Sequence, residues 1–150
     1  MIKHKIEWKD ILKMCEKFTK HCKKNNLEFT DVVAIARGGM IPAQLIAYRL
    51  GIERIHNYGI KSYKGEEKRK PLIYQSPEDL INSDILVIDE VCDSGETFEH
   101  VTKDLLATYD INTMTTFCLH WKPCSTYKPD HFGAVADSKV WIVYPWDIDE

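Results

Sequence analysis

A chain of 150 residues is the length of one ordinary domain, and it can bury a sizeable core without disulfide or metal staples. Its 44% hydrophobic and 29% charged residues are typical of a water-soluble globular chain rather than a disordered or fibrous one. With 20 Lys and Arg against 23 Asp and Glu, the net charge of -3 argues against a broad basic face for nucleic acid and leaves room for a local site for a small phosphorylated ligand.

Trp8, Ile11, Leu12, Cys15, Phe18 and Cys22 recur at three- and four-residue steps, predicting an amphipathic helix that ends at Asn25-Asn26. Asp31 to Ala36 is a short, nearly continuous apolar run, suited to a strand covered on both faces. Arg37-Gly38-Gly39 breaks it, and Ile41 to Leu50 reads as a helix capped by Gly51. Arg54 to Ile60 is a strand, and Ser62 to Pro71 is a charged, aperiodic loop. Ile85 to Ile88 is the second buried strand, followed by an acidic loop and a helix from about Gly95 to Thr108. Met114–Leu119, Phe132–Ala136 and Val140–Tyr144 complete the strands. Strands alternating with helices predict a parallel α/β sheet, and without repeats or linkers residues 1–150 are expected to form one domain.

The amino-terminal segment lacks a continuous apolar stretch, and no window approaches a membrane span, so a cytoplasmic chain without membrane contact is expected. The five cysteines are odd in number and form no CxxC pair. Cys15 and Cys22 share a helix face and are read as packing; His120 and Cys124 lack a second pair for a metal. Reduced thiols fit the same compartment.

The most informative stretch is Ile85 to Thr97, ILVIDEVCDSGET. Asp89, Glu90 and Asp93 follow a buried strand, where open α/β sheets place ligands, and Ser94-Gly95-Glu96-Thr97 opens a helix whose first amides favour an anion. A solvated acidic turn is the plain alternative, but it accounts poorly for two acids, two apolar residues, a third acid and a small-residue turn in that order. Carboxylates beside a phosphate cradle make sense when a ribose phosphate with Mg²⁺ lies between them, because hydroxyls donate to carboxylates and the metal takes oxygen ligands.

This stretch resembles the phosphoribosyl pyrophosphate (PRPP) signature of type I phosphoribosyltransferases. The resemblance implies that family's fold, a central mainly parallel sheet flanked by helices, with a short base-binding hood. It implies that Asp89 and Glu90 hold the ribose hydroxyls, directly or through Mg²⁺, and that Asp93, Ser94, Gly95, Glu96 and Thr97 wrap the 5′-phosphate. Glu90 stands where many members carry Asp. Ala36-Arg37-Gly38-Gly39 is similar to the pyrophosphate loop: Arg37 offers a planar charged fork, and the glycines admit close backbone donors. Ser62-Tyr63 resembles the start of the lid that closes over the pyrophosphate; Lys64, Lys68, Arg69 and Lys70 could add positive charge there, though each individually is read as solvated surface.

The C-terminal third resembles xanthine-guanine and hypoxanthine-type members. By that resemblance Lys122 donates to the purine O6, Trp141 stacks on the base, and the Ile142 backbone meets C2. A lysine is all donor, so it suits a 6-oxo group and mismatches a 6-amino group. Asp93 is expected to move a proton at N7. Asp147 is either a ligand for a second Mg²⁺ or a surface acid, Trp146 is read as packing, and His56, His100 and His131 as structural.

The implied reaction transfers ribose 5-phosphate from PRPP to N9 of xanthine, guanine or hypoxanthine, giving the nucleoside monophosphate and pyrophosphate. An enzyme for adenine or a pyrimidine, and a non-catalytic PRPP-sensing regulator, are the alternatives. Partners are PRPP, a purine base and the nucleotide product, with no nucleic acid, and the resemblance implies a homodimer or homotetramer.

Overall fold

The two most apolar runs of the chain become the two central strands. In the computed structural model, which describes residues 1–61 and 70–150, β2 (Asp31–Ala36) and β5 (Ile81–Cys92) lie parallel, with Asp31 opposite Ile85. Their side chains alternate between two buried clusters, so the runs read as continuous because both faces are covered. Val32, Ala34, Leu86 and Ile88 face one cluster; Val33, Ile35, Ile85 and Val87 face the other.

The first cluster is closed by α1 (Trp8–Lys24) and α2 (Met40–Leu50), which contribute Ile11, Cys15, Phe18, Cys22, Ala43 and Ile46. The second is closed by α3 (Glu96–Thr108) through Phe98, Val101 and Leu105. Each large apolar side chain so buried stabilises the fold by about 1.5–3 kcal/mol, which fixes the helices on the sheet. The predicted packing role of Cys15 and Cys22 holds, since both are fully buried. Gly51 ends α2 at φ 67°, where a residue with a side chain would be strained.

The remaining strands are β1 (Ile2–Lys5), β3 (Arg54–Lys61), β4 (Leu72–Gln75), β6 (Asp110–Trp121), β7 (His131–Val135) and β8 (Val140–Val143). Six form one sheet in the order β4-β3-β2-β5-β6-β7, all parallel except the β3–β4 pair. From β2 the chain winds to one side and from β5 to the other, so the order reverses between these two strands. Such a switch point leaves a crevice beyond the strands' carboxyl ends. The predicted mainly parallel α/β architecture is therefore present.

Three details differ from expectation. Asp89 and Glu90 lie inside β5, which runs on to Cys92, rather than just past its end. The antiparallel edge strand β4 was not predicted. Nor was β1, whose four exposed side chains carry no pattern; it stands by parallel pairing with β8, Ile2 opposite Val140. This β1–β8 pair is the hood. Ser62 and Tyr63 of the expected lid, with Lys64, Lys68 and Arg69, lie outside the described residues. Among the described residues no helix is long and apolar enough to cross a membrane.

Candidate active site

At the switch point a cleft of ≈ 550 Å³ is lined by Asp89 to Phe98 from β5 and the turn into α3, by Lys122, and by Trp141, Ile142, Tyr144, Asp147 and Glu150. The sugar-phosphate and base candidates thus share one cavity. Arg37 is exposed and does not line it, but its loop abuts the acid pair: a Cβ at Gly38 would run into the Glu90 carboxyl, and one at Gly39 into the carbonyl of Ile88. Only glycine lets Ala36-Arg37-Gly38-Gly39 approach β5 this closely.

The acids sit in unlike surroundings. Burial pushes the Asp89 carboxyl well above the usual range, and the Glu90 charge adds to the shift, against a hydrogen bond from the Glu90 amide at 2.7 Å. Glu90 is also raised, by burial first and by Asp147, while the Trp146 indole N–H, 2.7 Å from Oε2, and the Arg37 charge oppose the rise. Carboxylates held short of donors in this way are suited to hydroxyl groups or a cation. Asp93 is exposed and accepts from Lys122 Nζ at 3.2 Å.

The 5′-phosphate candidates form a braced turn. Gly95 is the N-cap of α3 at φ 93°, and a Cβ there would strike Ser125 and Tyr127. The Ser94 hydroxyl accepts from the Glu96 amide at 3.3 Å. The Ser94 carbonyl accepts from the amide and hydroxyl of Thr126, at 2.9 and 3.1 Å. Helix-start amides lack intrahelical partners, so Glu96 and Thr97 open a turn fitted to an anion. The bracing segment Ser125–Tyr127 was not singled out in the sequence, because nothing local marks it as a neighbour of Ser94.

Lys122 is 2% exposed and donates to the Val140 carbonyl at 2.8 Å as well as to Asp93. Its ammonium has three donors, and two are accounted for by these bonds. The same β8 carbonyl defines an edge. Val140 O faces the cleft side and Val143 O accepts from the Ile6 amide on the β1 side, so alternation turns the Ile142 backbone toward the cleft. Trp141 lines the cleft and donates its indole N–H to Glu150 at 3.2 Å. Asp147 accepts from the Tyr144 amide at 2.9 Å, capping the turn after β8.

Three residues read as structural or passed over are linked to the site, Tyr144 by lining it and Trp146 and His120 through hydrogen bonds to Glu90 and Tyr144. Tyr144 donates its hydroxyl to the Glu90 carbonyl at 3.0 Å. With that proton used, its oxygen accepts from the Nδ1–H of buried His120 at 2.9 Å. Burial pushes the His120 imidazole down to about 4, with His4 adding to the shift and Asp10 opposing it, so it is neutral at pH 7. Trp146 packs parallel to Tyr144 with centroids 5.0 Å apart, which fits the packing role, but its N–H reaches an acid of the cleft.

A family model described as the phosphoribosyl transferase domain matches residues 7–149. A xanthine-guanine phosphoribosyltransferase of Ruegeria sp. (strain TM1040) is 34% identical over 125 residues, covering 78% of this chain and 68% of that protein. One from Cereibacter sphaeroides (strain ATCC 17025 / ATH 2.4.3) is 30% identical over 127 residues, covering 83% and 72%. The crystal structure of the purine phosphoribosyltransferase from Pyrococcus horikoshii Ot3 superposes with a TM-score of 0.87 at 26% identity, over 98% of this chain and 95% of that one. With the signature strand, the braced turn and the hood all at one switch point, and a family match running nearly end to end, the chain belongs to the phosphoribosyltransferase family.

Proposed function

We propose that this purine phosphoribosyltransferase transfers ribose 5-phosphate from PRPP to N9 of a 6-oxopurine, in purine salvage. The observation that carries the choice of base is the 3.2 Å contact between Lys122 Nζ and the Asp93 carboxylate. On a 6-oxopurine O6 and N7 are neighbours on one edge, so an adjacent donor and carboxylate match that edge together. Adenine presents a 6-amino donor there and would leave the buried ammonium facing another donor, at a cost of about 1–3 kcal/mol.

In this reading Asp93 takes or returns the N7 proton as N9 becomes the nucleophile. Asp89 and Glu90 accept from the ribose hydroxyls, while Ser94, Gly95, Glu96 and Thr97 hold the 5′-phosphate on the first turn of α3. Trp141 supplies an apolar face to the base, and the cleft-facing Ile142 backbone meets the C2 substituent. Arg37, with the Gly38-Gly39 backbone, binds the departing pyrophosphate. In-line positioning of base and anomeric carbon supplies much of the acceleration.

Mg²⁺ fits the oxygen donor set, with Asp89 as the residue that would hold one ion on the ribose side and Asp147 a second on the pyrophosphate side. Mg²⁺ is commonly bound by one or two carboxylates plus substrate phosphates. When bound, Mg²⁺ neutralises charge on the pyrophosphate. The test is pyrophosphate release from PRPP and Mg²⁺ with hypoxanthine, guanine, xanthine, adenine, orotate and uracil in turn. Release with one or more oxopurines is expected; release only with adenine or a pyrimidine, or with none, overturns the proposal.

A further inference from the structure

We propose that Trp146 is a positioning residue for Glu90, holding its carboxylate on the ribose hydroxyls and joining the base-binding segment to the sugar-binding acids. The proposal rests on the reading of Glu90 as a ribose ligand. A glutamate carries one more rotatable methylene than an aspartate, so at this position its carboxylate needs a restraint if it is to meet a hydroxyl reproducibly.

The restraint is visible on two sides. The Trp146 indole N–H lies 2.7 Å from Oε2, and the carboxyl packs against Gly38, where a Cβ would collide with it. An indole nitrogen is a donor only, so this partner serves a carboxylate and cannot compete with it for substrate hydroxyl protons. The indole is itself immobilised. It lies parallel to Tyr144 at 5.0 Å and 1°, and is flanked by Trp8 at 5.8 Å and 60°. Tyr144 in turn holds the Glu90 main chain through its carbonyl at 3.0 Å. Both the side chain and the backbone of Glu90 are therefore gripped by the segment that leaves β8, a few residues beyond Trp141 and Ile142.

The test is calorimetric titration of guanosine 5′-monophosphate (GMP) and of 2′,3′-dideoxy-GMP into the full chain and into Trp146→Phe, Glu90→Asp and the double variant. Trp146→Phe keeps a ring against Tyr144 and deletes the N–H. It is expected to weaken GMP roughly tenfold, the scale of one charge-assisted hydrogen bond, and to leave the dideoxy nucleotide unchanged. Glu90→Asp withdraws the carboxyl from the indole without touching the aromatic stack, so the Phe substitution should add almost nothing in that background. Should Trp146→Phe not fold, Tyr144→Phe, which keeps the aromatic stack and the Glu90 carboxylate but deletes the hydroxyl bond to the Glu90 carbonyl, reads the grip of the same segment as a loss confined to GMP. A loss shared equally by both nucleotides, or one that persists in the Glu90→Asp background, makes Trp146 a packing residue and overturns the proposal. Equal binding of the two nucleotides by the unaltered chain overturns the ribose reading of the acids, and the proposal with it.

Discussion

The two ends of the central sheet treat buried carboxylates in opposite ways. At the amino end Asp31, which opens β2, is 2% exposed and takes hydrogen bonds from Arg54 Nε at 2.9 Å and His56 Nε2 at 2.7 Å. Burial alone would raise its proton affinity, but donors from Thr30, His56 and Arg54 outweigh it and hold the carboxyl below the usual range. The half-buried Asp84, just ahead of the apolar run of β5, also accepts from Asn112 and Thr113, at 2.8 and 2.7 Å. At the carboxyl end Asp89 and Glu90 are raised instead, because burial is met by too few donors and by a neighbouring acid, Glu90 for Asp89 and Asp147 for Glu90. On the proposed reading, the same residue types serve stability where their partners are built in, and recognition where partners arrive from outside. His56, read as structural, belongs to the first group.

The comparison breaks most sharply at Asp93. Asp93→Asn keeps the shape and removes the base, and turnover with the preferred purine is expected to fall on the order of 10²–10⁴-fold with little change in PRPP affinity. Steady-state kinetics beside direct PRPP titration decide it, and unchanged turnover removes Asp93 from the proton transfer. At the opposite end Asp31→Ala should do the converse. Leaving His56 and Arg54 without their acceptor is expected to cost about 2–3 kcal/mol of stability, read by urea denaturation, with kcat retained under native conditions.

The smallest effect is a pH dependence beneath the hood. Folded His120 stays neutral down to about 4, whereas the unfolded imidazole takes its proton near the ordinary 6.5. Between those values the unfolded chain binds more protons, so stability falls as pH drops through the window. From pH 6.5 to pH 5 the loss attributable to His120 is on the order of 2 kcal/mol. His120→Asn keeps a donor for Tyr144 and does not titrate, so its denaturation midpoints should decline less steeply over that span; parallel profiles would assign the decline to other groups.

Legibility followed the range of the interaction that shapes each part. Strand β2 and helix α1 are written in local periodicity and were read to within a few residues. The acids and the turn after β5 form a contiguous motif, so their meeting in one cleft was foreseeable. Strand β1 has no local signature, because Ile2 to Lys5 are held by backbone pairing with a strand far along the chain. Trp146 gave no sign of its bond to Glu90, since an indole that packs and an indole that also donates look alike in sequence. Lys122 was legible only through family resemblance; its burial and its bond to Val140 arise from the register of β6 and β8.

The pairing of Ile2 with Val140 has a consequence for the order in which the protein becomes competent. The acids and the proposed phosphate turn are neighbours along the chain, on and just after a strand whose partners are both made once β6 has been added. The proposed base pocket needs the two extremes of the described chain to meet, the costliest loop to close and the contact that folding reaches late. During synthesis, and again during refolding, the chain is therefore expected to acquire its sugar-phosphate cradle first and its discrimination between bases last.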